Sequence, residues 1–97
     1  MRVSEVLRRY IVDLVAATRN HAAVRLGASV RASLALQRVA QALAVLDGAS
    51  YLTPDLVQEV AIPVLAHRLM LDAQARFGGV SAEDVVREAL TRVAVPT

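Results

Sequence analysis

The chain has no cysteine and no lysine, and aromatic residues make up only 3% of its 97 positions. Without cysteine, disulfides and thiolate metal sites are excluded, and a reducing compartment is the natural setting. With so few aromatics the core must be aliphatic. All 11 basic side chains are arginine, against 9 acidic ones, for a net charge of +2. That balance lacks the dense basic stripe of a nucleic-acid binder, and the exclusive use of arginine reads as coding bias. No apolar run approaches the roughly 20 residues that span a bilayer. The start, Met1-Arg2-Val3-Ser4-Glu5, meets charge at once and has no signal-peptide core. A cytoplasmic protein is expected, with neither membrane nor nucleic acid as partner. A glycine-rich phosphate loop with lysine is also missing. His21 and His67 stand far apart with no carboxylate at ligand spacing, so no metal site is expected. Ser29, Ser33 and Ser81 lack a nucleophile-elbow context. Asp55 and Glu59, four residues apart, read as a solvated helix face. No catalytic residue is assigned, and no activity is expected of the chain alone.

What is abundant is alanine, valine and leucine, within a hydrophobic fraction of 56%. Alanine and leucine at this density favour packed helices, and the length suits one domain over residues 1–97. The mean hydropathy of +0.45 is high for a small domain, which implies apolar surface covered by a partner or another domain. Val3, Leu7, Tyr10, Leu14 and Ala17 recur at helical steps and predict a helix over 3–19, with Ser4 able to cap a slightly later start. Residues 20–28 read as a loop with room for one helical turn. A second helix is predicted over about 30–47. Its apolar stripe is Leu36, Val39, Leu43 and Leu46, its alanines permit close packing, and Asp47-Gly48 stops it. Thr53-Pro54-Asp55 opens a third helix with Leu56, Val57, Val60 and Ala61. Pro63 should break or kink it, with a further turn or two over Val64 to Leu69. Gln74 to Gly79 reads as a loop. Ser81 caps a last helix, with Asp84 completing a weak capping box and Val85, Val86, Ala89, Leu90 and Val93 inside. No strand pattern is visible. The predicted fold is all-α, a compact bundle of four main helices.

The most informative run is Arg25-Leu26-Gly27-Ala28-Ser29-Val30-Arg31-Ala32. It places a glycine turn, a serine N-cap and an arginine at the mouth of the second helix. Arg31 lies in the first turn, where open N–H groups and the positive end of the helix dipole favour an anion. A guanidinium there can add two directed donors to a phosphate. Arg31 could equally be a surface charge or bond a nearby carboxylate, and Arg19 and Arg25, flanking the loop, could be solvated. His21 could cap a helix end through its ring. His67 and Arg68 could bond loop carbonyls, and Tyr10 reads as core.

Taken in order, five segments resemble the C-terminal lid domain of MoxR-type AAA+ ATPases. They are Tyr10-Ile11-Val12-Asp13-Leu14-Val15, Thr18-Arg19, Leu26-Gly27-Ala28-Ser29-Val30-Arg31-Ala32, Tyr51-Leu52-Thr53-Pro54-Asp55-Leu56-Val57 and Val64-Leu65-Ala66-His67-Arg68-Leu69. The resemblance implies a helical lid behind a P-loop ATPase core that is absent here, so that the chain is a C-terminal fragment of a longer ATPase. It also implies that the lid closes over nucleotide. Arg31 maps to the second sensor, touching the γ-phosphate. Gly27, Ala28 and Ser29 support the helix start, and Tyr10 and Ile11 lie near the adenine. ATP and Mg2+ belong to the complete protein, with none expected on the isolated chain. The implied partners are the protein's own core and neighbouring subunits of a ring, a hexamer. The implied role is chaperone-like remodelling of a client that the sequence does not identify. Val30 and Ala22 stand where the family commonly has proline, and valine gives a less rigid helix start. A stand-alone helical interaction module is the alternative. So is a DNA-binding module using the link from Asp47 to Pro54, although Asp47, Asp55 and Glu59 would repel phosphates.

Overall fold

The computed structural model describes residues 3–27 and 29–96, and the backbone alone at Val30. Helix α1 spans Glu5–Arg19 and starts at Ser4, whose Oγ accepts a bond from the Leu7 N–H at 3.1 Å. Its inner face is Leu7, Tyr10, Ile11, Leu14, Val15 and Thr18. The buried Thr18 hydroxyl donates to the Val15 carbonyl at 2.7 Å, so a polar group in the core stays satisfied.

Helix α2, Val30–Leu46, packs against both α1 and α3. Its inner face matches the expected leucine–valine stripe only in part: Leu36 is buried and Leu43 packs against the core, but Val39 and Leu46 do not. Ala32, Leu36, Ala40 and Ala44 are fully buried, whereas Val39 is 42% and Leu46 83% exposed. A helix held between two neighbours needs small side chains at the contact, so the alanines turn inward and the bulkier residues flank them. The helix stops as expected. Gly48 is left-handed at φ +75°, the Ala49 N–H reaches the Ala44 carbonyl at 2.8 Å, and the Gly48 N–H reaches Val45 at 3.1 Å.

Helix α3 spans Pro54–Leu65, with the Thr53 hydroxyl accepting from the Leu56 N–H at 3.5 Å. Pro63 does not end it: the helix continues to Leu65 and tightens into a 3-10 turn over Ala66–Arg68. Proline removes the N–H that would meet the Glu59 carbonyl. Glu59 is exposed, so water can serve that carbonyl.

Two further elements depart from the expectation. Val24–Leu26 forms a short strand, β1, paired antiparallel with β2, Met70–Leu71, and the Asp72 N–H extends the pairing to the Ala23 carbonyl at 2.9 Å. Strands of three and two residues carry too little alternation to be read from sequence. A short helix α4, Ala73–Phe77, replaces the predicted loop and closes at Gly79, φ +92°. Helix α5, Ala82–Arg92, begins with the full reciprocal box. The Asp84 N–H donates to the Ser81 Oγ at 3.1 Å, and the Ser81 N–H to the Asp84 carboxylate at 3.0 Å. Helices α1, α2, α3 and α5 thus enclose one aliphatic core that includes Ile11, Leu14, Leu36, Val57, Leu65 and Val86.

Leu36→Ala should lower the unfolding free energy by about 2–5 kcal/mol, read by urea denaturation. Leu46→Ala should stay within about 0.5 kcal/mol of the parent. Equal effects would contradict the assignment of the α2 inner face.

Candidate functional site at the start of helix α2

The segment leading into α2 is fixed by a close approach and not by a left-handed glycine. Gly48 and Gly79 are the glycines with positive φ among the described residues, and Gly27 is not one of them. Instead, a Cβ at Gly27 would collide with Arg19 Cγ and fall 2.6 Å from Arg19 Cα. The glycine therefore lets the segment lie directly on the end of α1.

Ser29 is the N-cap by backbone geometry, and its carbonyl accepts from the Ala32 N–H at 2.9 Å. Its side chain makes no capping bond, contrary to expectation. The helix start is at the surface, where water can serve first-turn N–H groups without a hydroxyl. Ala28 lies outside the described residues. Arg31 is the second residue of α2 and exposed, and no acidic side chain among the described residues pairs with it. Its guanidinium is thus uncommitted beside uncapped N–H groups, an arrangement able to receive an anion.

Tyr10 and Ile11 lie on the inner face of α1. They are 3% and 1% exposed, and the Tyr10 hydroxyl accepts from Gln58 Nε2 at 3.1 Å, tying α1 to α3. Their side chains serve the core and offer little surface to a ligand. His67 and Arg68 are exposed on the 3-10 turn. Asp55 and Glu59 are exposed on α3, as a solvated face should be. Among the described residues no cluster of three or more potential ligands could hold a metal ion, and no helix is long and apolar enough to cross a membrane.

His21 has a role that sequence reasoning missed. Its Nδ1 accepts from the Ala23 N–H at 3.0 Å, so the ring proton is assigned to Nε2, which donates to Glu88 Oε2 at 2.5 Å. The ring braces the loop rather than capping a helix end. Arg92 takes the other Glu88 oxygen at 2.9 Å. The His21 bond chiefly holds the Glu88 carboxyl below its ordinary range, with desolvation opposing and the charge of Arg92 assisting. Asp84 is lowered mainly by the Ser81 backbone N–H and then by the Ser81 hydroxyl; burial opposes and Arg87 adds a little. No local pattern could link position 21 to position 88.

Residues 16–89 match the profile of the AAA lid domain. The chain belongs to the AAA lid domain family. The protein YeaC of Bacillus subtilis, itself uncharacterized, is 44% identical to this lid domain over 99% of the chain, which covers 30% of that protein. The chaperone MoxR1 of Mycobacterium tuberculosis is 38% identical over 97% of the chain, covering 27% of its own length. A crystal structure of a protein assigned as an ATPase from Cytophaga hutchinsonii superposes with a TM-score of 0.90 at 35% identity, over 97% of this chain and 31% of that one. The resemblance to MoxR-type lids is therefore borne out. The lid domain spans less than a third of the length of these relatives.

Gly27→Ala should destabilise the domain by about 1–3 kcal/mol, because the new methyl meets Arg19 Cα, a backbone atom that cannot rotate away. Thermal unfolding measures it, and a neutral result would refute the close approach. For pH, the folded state binds protons at Glu88 and Asp84 less readily than the unfolded chain does. Their contribution is complete above the ordinary carboxylate values of about 4, and it is lost as pH falls through the lowered ones. The urea midpoint should fall with acid over that window, and less so in Glu88→Gln.

Proposed function

We propose that the domain is the lid of a MoxR-type AAA+ ATPase, closing over ATP held by a P-loop core elsewhere in the complete protein, with Arg31 sensing the γ-phosphate. The observation that carries this reading is the exposed Arg31, free of any acidic partner among the described residues, at the uncapped start of a 17-residue helix. It stands in a chain that covers less than a third of its relatives' length. Gly27 and Ser29 shape that helix start. The described residues offer donors for a phosphate, and in this reading Mg2+ is held by the core.

Loss of the γ-phosphate would remove a charge-assisted bond to Arg31 and let the lid angle relax. In a ring, hexameric in this reading, that movement reaches the neighbouring subunit and drives remodelling of a client protein in the cytoplasm. The name of the mycobacterial relative, a chaperone, supports this direction. The complete protein would use ATP with Mg2+, while the isolated lid would bind nucleotide weakly or not at all.

Arg31→Ala should leave the helical content and melting temperature of the domain unchanged. It should lower the ATP turnover of the complete protein on the order of tenfold or more, the size of effect typical when a directed donor to a transferring phosphoryl group is lost. Unchanged turnover would reject the sensor role and leave an interaction module as the better reading.

A further inference from the structure

Resting on the sensor reading, we infer that His21 is a positioning residue for Arg31, acting through its bond to Glu88 on α5. The loop between α1 and α2 is short of hydrophobic anchors: Ala22, Arg25, Leu26 and Ser29 are exposed. Its geometry is set by a chain of polar contacts centred on His21. The His21 carbonyl accepts from the Val24 N–H at 3.1 Å, and the ring accepts from the Ala23 N–H at 3.0 Å. The Ala23 carbonyl in turn accepts from Asp72, beside the β1–β2 pair. From β1 the chain passes to Gly27, seated on Arg19, and then to the start of α2.

Within this network, the His21–Glu88 bond is the side-chain contact that joins the loop to another helix. It spans 67 positions and leaves the His21 side chain only 16% exposed. Glu88 is itself held by Arg92, one turn along α5. The two ring nitrogens divide the work, Nδ1 ordering the loop backbone and Nε2 docking that loop on α5. Removing either partner frees the segment that presents Arg31 while leaving the aliphatic core untouched, because neither His21 nor Glu88 belongs to it. A bond made by the conservative amide at position 88 would restore the docking, since a glutamine oxygen can accept from Nε2.

The test uses the 97-residue chain first. Amide hydrogen exchange is followed in Glu88→Ala, Glu88→Gln and His21→Ala. Glu88→Ala and His21→Ala should speed exchange at Ala23, Val24 and Asp72 by about tenfold or more, the mark of local opening. They should also shift the amide resonances of Ser29 to Ala32, with protection in α1 and α3 close to the parent. Glu88→Gln should restore the parent pattern. Uniform loss of protection through all helices, or resonance changes confined to α5, would overturn the inference, as would a failure of Glu88→Gln to rescue.

ATP turnover of the complete protein then separates the two readings. Glu88→Ala should lower kcat, and adding it to Arg31→Ala should cause no further loss, since nothing is left to position. Additive losses would overturn positioning. If Arg31→Ala alone has no effect, the sensor reading fails, while the exchange data still decide whether His21 sets the turn.

Discussion

The structure depends first on how closely α2 approaches its neighbours. Ala32, Ala40 and Ala44 are completely buried with Leu36 between them. Each methyl contributes little area. Together they let the backbone of α2 lie near α1 and α3, where Ile11, Leu14 and Val57 reach across. In a chain with so few aromatics, density must come from proximity rather than from large side chains. The same proximity fixes where the N-terminus of α2 emerges. Gly27 repeats the device at smaller scale, its missing side chain admitting the end of α1. Two close approaches, one along α2 and one before it, set the position of Arg31 relative to the core.

The features legible in the sequence were those governed by local chemistry. Ser4, Thr53 and Ser81 cap helices as read, and Gly48 stops α2 through its left-handed backbone. Features set by distant partners were not legible. Val39 and Leu46 looked like core because periodicity cannot tell which of two adjacent stripes faces inward when alanine occupies one of them. The β1–β2 pair joins segments far apart in the chain, and its strands are too short to announce themselves. Pro63 carries a strong local signal for a break, but the helix runs past it to Leu65, and the carbonyl that loses its partner belongs to the exposed Glu59. At the site, Arg31 and Gly27 were found from their motif. The close approach of Gly27 to Arg19 had no signal in the sequence, and His21 was missed because its partner lies in the last helix.

Energetic scale separates what the lid can do alone from what it can do in company. A helix N-terminus favours an anion by about 0.3–1 kcal/mol when exposed. A charge-assisted hydrogen bond adds about 1.5–3 kcal/mol. Their sum falls short of the roughly 8 kcal/mol behind micromolar affinity. A phosphate contact of this size cannot capture nucleotide. In the proposed role it would report a nucleotide held elsewhere, since a bond of this size can shift an equilibrium between two states that differ by a few kcal/mol.

The exposed apolar residues belong to the same account. Phe77 is 91% exposed on α4, with Met70 and Leu26 exposed on the adjoining strands. Leu46 and Tyr51 are exposed around the link that follows α2. None of these side chains supports the core, so their hydrophobicity is not explained by the stability of the domain. If the lid closes as proposed, it would be stabilised by apolar contact between these residues and the ATPase core, and would lose that contact on opening. On the proposed reading, weak phosphate contact at one end and reversible apolar contact elsewhere would leave the lid orientations close in free energy. That balance is what a single bond at Arg31 would need in order to tip them.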